Sequence, residues 1–449
     1  MHWYLYKYLH PFIFLLLLNT IFNKAYGQIY INELMASNAS VYRDPYTLLY
    51  SDWFELYNTD TVNVDLKGYF LTDNLDNPCK YRIADNYIVY AGQYTIFWAD
   101  GGNWWAHTNF KLSSDGELVA LFSPDTTLVD LVNYGSIIPD ISYGKKNDGS
   151  FNWMYFSVPT PFYANTTQGF TIQSISIPPQ FSIQGGLYSG SQQVEISSSS
   201  GAEIRYTTDG SIPTEYSTLY TNPIVFDTTL IIRARAFEPN VFPSITVTNT
   251  YFININHTLP IVSLVTPPDF LWDSITGIYS KSLKDVEIPV NFEFIDTIGN
   301  SGVNQLLGLQ ISGQVAYKLP QKMFNVYARN KYGNNNIEYK FFNTRNNNLF
   351  SSLIIRNSGF PENSNTLFRD AMMQQLVINE LDIDYQDYKP VVLYLNGKYW
   401  GIYNIREKHS EEYLAANKWT YWWRYSVISH KWYKYLYRNS WRWSVFINQ

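Results

Sequence analysis

Four stretches set the character of this chain: Ile29-Tyr-Ile-Asn-Glu-Leu34, Trp53-Phe-Glu-Leu-Tyr57, Tyr94-Thr-Ile-Phe-Trp98 and Leu118-Val-Ala-Leu-Phe122. Each is short, rich in β-branched and aromatic residues, and built for a half-buried pleated surface. Between them lie turn-forming clusters, Asp73-Asn-Leu-Asp-Asn-Pro78, Asp100-Gly-Gly-Asn103, Ser113-Ser-Asp-Gly116 and Asn147-Asp-Gly-Ser150. Short strands at this spacing predict a β-sandwich over residues 28–167. Glu33, Asp52 and Glu55 are candidate ligands for a hard cation. The competing reading is that they cap turns or solvate a sheet edge, and no calcium-loop spacing accompanies them.

A second unit is expected at 178–256, with strands at Gln193-Val-Glu-Ile-Ser197, Glu203-Ile-Arg-Tyr-Thr-Thr208 and Leu230-Ile-Ile-Arg-Ala-Arg-Ala-Phe237. Asp209-Gly210 supplies a tight turn that tolerates positive φ. Arg205, Arg233 and Arg235 alternate with apolar residues, so arginines share one face and the core lies on the other. A third unit, 257–417, opens on the buried-strand run Leu259-Pro-Ile-Val-Ser-Leu-Val265 and continues through Ile288-Pro-Val-Asn-Phe-Glu-Phe294. Asn365 to Val377 reads as an amphipathic helix, and Pro390 to Leu395 with Gly401 to Ile405 as a hairpin turned by Asn396-Gly397.

Composition bounds the rest. The first residues carry Lys7, the apolar run Phe12-Ile-Phe-Leu-Leu-Leu-Leu18 and the small-residue pair Ala25-x-Gly27, the pattern of a signal peptide over 1–27 cleaved before Gln28. The run is interrupted by Asn19 and Asn23 and is too short for a spanning helix, so a secreted or cell-surface protein without a transmembrane span is expected. The single cysteine, Cys79, forms no internal disulfide, which leaves packing to stabilise the exported domains. Losing Lys7 and Lys24 with the leader moves the net charge from −6 to −8, against a nucleic-acid partner; cell-surface or extracellular polymers or proteins are the partners expected of an exported chain.

Motifs add resemblances. Ile31-Asn-Glu-Leu-Met-Ala-Ser37, Ser51-Asp-Trp-Phe-Glu-Leu-Tyr-Asn58, Leu66-x-Gly-Tyr-Phe-Leu-Thr-Asp73 and Pro159-Thr-Pro161 resemble the lamin-tail domain of bacterial secreted proteins. Gly201-Ala-Glu-Ile-Arg-Tyr-Thr-Thr-Asp-Gly-Ser-Ile-Pro-Thr214 resembles the small immunoglobulin-like module at the C-terminus of chitobiases and hexosaminidases. In that family the module is an accessory, so no sugar cleavage follows from it. Gly308-Leu-Gln-Ile-Ser-Gly313, Pro320 to Arg329, Leu353-Ile-Ile-Arg-Asn-Ser358 and Tyr399 to Lys408 resemble the CotH kinase family of secreted, kinase-like proteins. The fold expected is therefore mainly β: two β-sandwich, Ig-like modules followed by an incomplete α+β kinase-like domain.

The CotH resemblance implies ATP and Mg for a full-length active member and places Lys322 at the nucleotide-binding lysine; a solvated strand lysine is the alternative. The cover over the phosphates reads Ile311-Ser-Gly-Gln-Val-Ala-Tyr-Lys318, where Val315 and Tyr317 hinder close backbone approach. No Asp follows Asp387, so no catalytic residue and no metal ligand is assigned. Residues 418–449 hold six basic residues, no acid, no glycine and six of the 14 tryptophans, a break in usage expected of a shifted reading frame near codon 418; a genuine basic, aromatic membrane-surface segment is the alternative. The function expected is a surface or secreted multidomain protein, inactive as a kinase, whose β-modules serve adhesion or spacing. Two alternatives stand beside it: an active atypical kinase, and a carbohydrate-binding array using Trp104-Trp105.

Overall fold

A computed structural model describes residues 29–413 apart from positions 85, 199–200, 315, 345, 358–365, 379 and 382–384. The leader and the basic tail read from the sequence therefore lie outside the described residues. Strands dominate, and the α-helices among the described residues are short, Pro268–Trp272 and Arg369–Gln375. None is long and apolar enough to cross a membrane.

The chain divides into two compact units, and the first comprises residues 1–176 with the returning segment 238–243. Its larger sheet runs, edge to edge, Gly169–Phe170, Trp153–Phe156, Ser142–Lys145, Ile29–Met35, Trp53–Asn58 and Tyr94–Trp98. A four-stranded sheet of Tyr81–Arg82, Phe70–Thr72, Glu117–Phe122 and Leu128–Tyr134 supplies the other layer. Trp53, Phe54, Leu56, Phe97, Leu71, Val119 and Leu121 fill one continuous core, which also takes in Phe242. The pairing of Ile29–Met35 with Trp53–Asn58 slips between Ile31 and Glu33, leaving Asn32 as the extra residue of a β-bulge. The slip changes the phase of the strand. Ile29, Ile31 and Leu34 all reach the core, while Asn32 and Glu33 turn away from it together.

The second unit comprises the described residues of 177–237 and those from 244 to 413. Its first part is an Ig-like module whose main sheet is ordered Gly186–Tyr188, Val247–Ile253, Leu230–Phe237, Glu203–Thr207 and Thr218–Leu219. The run expected as one strand at 193–197 is split: Gln192–Val194 pairs with Ile224–Phe226, whereas Ile196–Ser197 pairs with Gln180–Phe181. Gly210 holds φ +95°, as the turn requires.

The second part is a closed seven-stranded barrel. Ile261–Val265, Glu287–Ile295, Ser301–Ser312, Met323–Tyr327, Ser352–Arg356, Lys398–Glu407 and Tyr388–Leu395 follow one another antiparallel, and the last closes on the first in parallel. Asn396 and Gly397 both hold positive φ, 44° and 71°, the type I′ geometry that matches the twist of its hairpin. The helix expected over 365–377 is confined to Arg369–Gln375, because Leu367 sits at φ 56° and Phe368, at φ −144°, offers no side-chain cap. Closure into a barrel removes the exposed edges of an open sheet and leaves the helices outside it.

Module and barrel pack as one body. Along Leu230–Phe237, Ile232 and Ala234 enter the module's own core, while Ile231 lies against Gly397 of the barrel hairpin and Arg233 shares its face. Arg233 is buried and donates to Gly210 O at 2.6 Å and Thr248 Oγ1 at 3.2 Å. Of the arginine face expected from the alternation, Arg233 thus lies in an internal junction, whereas Arg205 and Arg235 are only half-buried. Phe252, Ile261, Ile295, Val392 and Tyr394 form a shared apolar cluster there, and the Glu293 carboxylate accepts the Thr250 N–H at 2.8 Å.

Candidate functional site

The strand Met323–Tyr327 follows Lys322 directly and fixes where that lysine lies. Lys322 is 4% exposed. Its Nζ donates to Ser282 Oγ at 2.9 Å, Tyr317 O at 2.7 Å and Leu319 O at 3.3 Å, and stands 4.9 Å from the Tyr279 ring centroid. An ammonium has three N–H donors, so all are committed. Burial holds its pKa below the usual lysine range. The residues expected as a phosphate cover fold back instead: Ala316–Lys318 forms a 3₁₀ turn and Tyr317 supplies one of the carbonyls that Lys322 binds.

In a kinase the nucleotide lysine is paired by an acid of a neighbouring helix. Here the helix Arg369–Gln375 offers Asp370, whose carboxylate is taken by Arg356 and, at 2.7 Å, by Arg406. The two cations hold Asp370 below the usual carboxylate range, against the effect of burial. Arg406 is 2% exposed, so Asp370 supplies the counter-charge its burial requires. This triad pins the helix to the barrel strands Ser352–Arg356 and Lys398–Glu407, and it leaves Lys322 with neutral oxygens for partners.

The carboxylates singled out in the first unit separate into two places. Glu33 and Glu55 are directly opposed across neighbouring strands and fully buried. Glu33 accepts from Ser142 Oγ and from the Thr160 N–H at 3.2 Å, and Glu55 accepts the Phe162 N–H at 2.5 Å and Asn32 Nδ2 at 3.3 Å. Asp148 joins them through Asn32 Nδ2 at 3.0 Å and the Asn165 N–H at 3.2 Å. Burial raises Glu33 to about 7 and raises Glu55 well above its ordinary range, with Glu33 itself the second cause for Glu55. Through Thr160 and Phe162 the pair fastens the segment 160–165 over the sheet. Asp52 stands apart and accepts the Asn38 N–H at 2.8 Å. Among the described residues no three His, Cys, Asp or Glu side chains are grouped to hold a metal ion.

Comparison with family models matches residues 23–136 to the Lamin Tail Domain, 183–248 to the Chitobiase/beta-hexosaminidase C-terminal domain and 309–439 to CotH kinase protein. The chain matches three families in series. No curated protein matches it. The lamin-tail match contains Glu33, Asp52 and Glu55, and the CotH match contains Lys322 and the Asp370 triad. The CotH match begins within Ser301–Ser312, although Ile261–Val265 and Glu287–Ile295 belong to the same barrel, and its end at 439 takes in part of the basic tail.

What the sequence does not disclose is the burial of Glu33 and Glu55. Their cover, 160–165, is more than a hundred positions away, and the bulge at Asn32 breaks the alternation that would have pointed to it. The nearest sequence signal is the Pro159-Thr-Pro161 block, which fixes the covering segment.

Proposed function

We propose that this CotH-like multidomain chain is an exported surface or secreted protein in which the barrel and its Ig-like module act as a rigid structural unit without phosphoryl transfer, while the β-modules serve adhesion or spacing. The observation that carries this reading is the commitment of Lys322: freeing its ammonium for a phosphate means breaking three hydrogen bonds and leaving two carbonyls without their donor. The apolar run at 12–18 supports export.

The test uses the full chain secreted from a bacterial host. Its intact mass is expected to correspond to a mature start at Gln28. Incubated with radiolabelled ATP and Mg²⁺, it is expected to incorporate no label above a heat-denatured sample, and Lys322→Ala is expected to change that baseline not at all. Robust incorporation that disappears in Lys322→Ala would refute the reading and favour an active atypical kinase.

A further inference from the structure

The loop Asp100–Thr108 in the first unit places two indoles in solvent. Trp104 and Trp105 are each 44% exposed, and Tyr46, on the loop after Asp44, is 61% exposed. Tyr46 meets both tryptophans edge-on, at 88° and 6.2 Å for Trp104 and 83° and 4.9 Å for Trp105, so the three rings brace one another while each stays partly open to solvent. Beneath them Trp104 stacks on the buried His107 ring at 3.8 Å and 15°.

This arrangement is held against its own backbone preference. Asn103 sits at φ 57° and Trp105 at φ 42°, in the left-handed region that a bulky residue occupies only under constraint. The constraint is visible. Gly102 N–H and His107 Nδ1 both bond Asp100, at 2.8 Å each; Trp104 and His107 exchange backbone bonds at 3.1 and 2.8 Å; and Tyr81 donates its hydroxyl to Trp105 O. Gly102 runs directly under the indole, where a Cβ would fall 2.9 Å from Trp104 Nε1.

Two exposed indoles beside a partly exposed carboxylate and the exposed Asn103 suit a ligand with flat C–H faces and a hydroxyl rim. Pyranose rings have that form: axial C–H groups lie on a π face while equatorial hydroxyls meet the carboxylate and amide. The charge in the loop points to a neutral polymer, since Asp100 would repel an anionic one. A purely apolar partner would cover the exposed Asn103 amide without giving it a hydrogen bond.

We propose that Tyr46, Trp104 and Trp105 form a preorganised platform that binds the pyranose rings of a neutral polysaccharide. The proposal rests on the reading of the β-modules as adhesive units and is independent of the barrel's inactivity. The experiment is depletion of the full chain from solution by insoluble cellulose, chitin and xylan, with heparin-agarose and phenyl-agarose alongside. At least one neutral polymer is expected to retain the chain equally in low salt and in 1 M NaCl. The Trp104→Ala/Trp105→Ala double variant is expected to lose at least tenfold in affinity while keeping a cooperative melting transition. Gly102→Val, which keeps both indoles but displaces Trp104, is expected to weaken binding several-fold, and Phe151→Ala, at another exposed ring of this unit, to leave it unchanged. Retention by none of the three neutral polymers, equal retention of the double variant, or retention only by heparin or phenyl-agarose would overturn the proposal. Because the ATP measurement is made on the same preparation, failure here and failure of the phosphoryl-transfer reading are told apart.

Discussion

Phe252→Ala is expected to lower the stability of the second unit by about 3–5 kcal/mol, the cost of emptying a large, fully buried aromatic site. Phe252 leaves the module's strand Val247–Ile253 and enters the cluster made with Ile261, Ile295, Val392 and Tyr394, meeting the Tyr394 ring at 4.6 Å and 64°. The lost contacts therefore belong to the barrel as much as to the Ig-like module. If the two are one cooperative body, the variant shifts a single urea transition to lower midpoint without a change in slope. Two separated transitions, one of them unmoved, would show that module and barrel fold independently and would contradict the shared core.

The second large effect is on pH. Glu33 and Glu293 are fully buried, and burial is the first cause raising each to about 7; hydrogen bonds from Ser142 and Thr160, and from Thr250, oppose the rise. In the unfolded chain both titrate near the ordinary glutamate value. Between about pH 4.5 and pH 7 the folded protein thus holds protons that the unfolded chain has released, so stability falls as pH rises through that window and levels off above it. A difference of this size corresponds to about 3 kcal/mol for each glutamate. Urea unfolding at pH 5 and pH 8 checks it, and since Glu33 lies in the first unit and Glu293 in the second, both units should be weaker at pH 8. Glu33→Gln and Glu293→Gln mimic the protonated forms and are expected to reduce the dependence, each in its own unit, with Glu55 keeping a residual slope in the first. A profile that instead strengthens from pH 5 to pH 8 would overturn the assignment.

Local pattern disclosed what neighbours did not alter. The strand Leu230–Phe237 and the Asn396-Gly397 hairpin turn are legible residue by residue, because alternation and turn chemistry are set within a few positions. The run at 193–197 is equally regular, yet it divides because its two ends find partners in different ladders. Lys322 is the sharper case. A lysine beside an aromatic strand reads as a cleft residue or a solvated one, and nothing nearby shows that Ser282, forty positions earlier, closes over it. The exposed Trp104-Trp105 pair was legible as aromatic; its bracing by Tyr46 and the strain at Trp105 belong to the packed loops alone.

The barrel closes by pairing Ile261 with Val392 and Leu264 with Leu395, so its first strand waits for its neighbour until nearly the whole unit has been made. Such distant pairing is slow, since a long loop must be ordered before the contact rewards it. For the exported chain proposed above, that delay would be useful, because a segment that has not yet closed stays threadable. The same delay leaves Ile261–Val265, apolar but for Ser263, without its parallel neighbour until closure, and the preceding Ig-like module offers Phe252 and Thr250 as a surface on which it can settle.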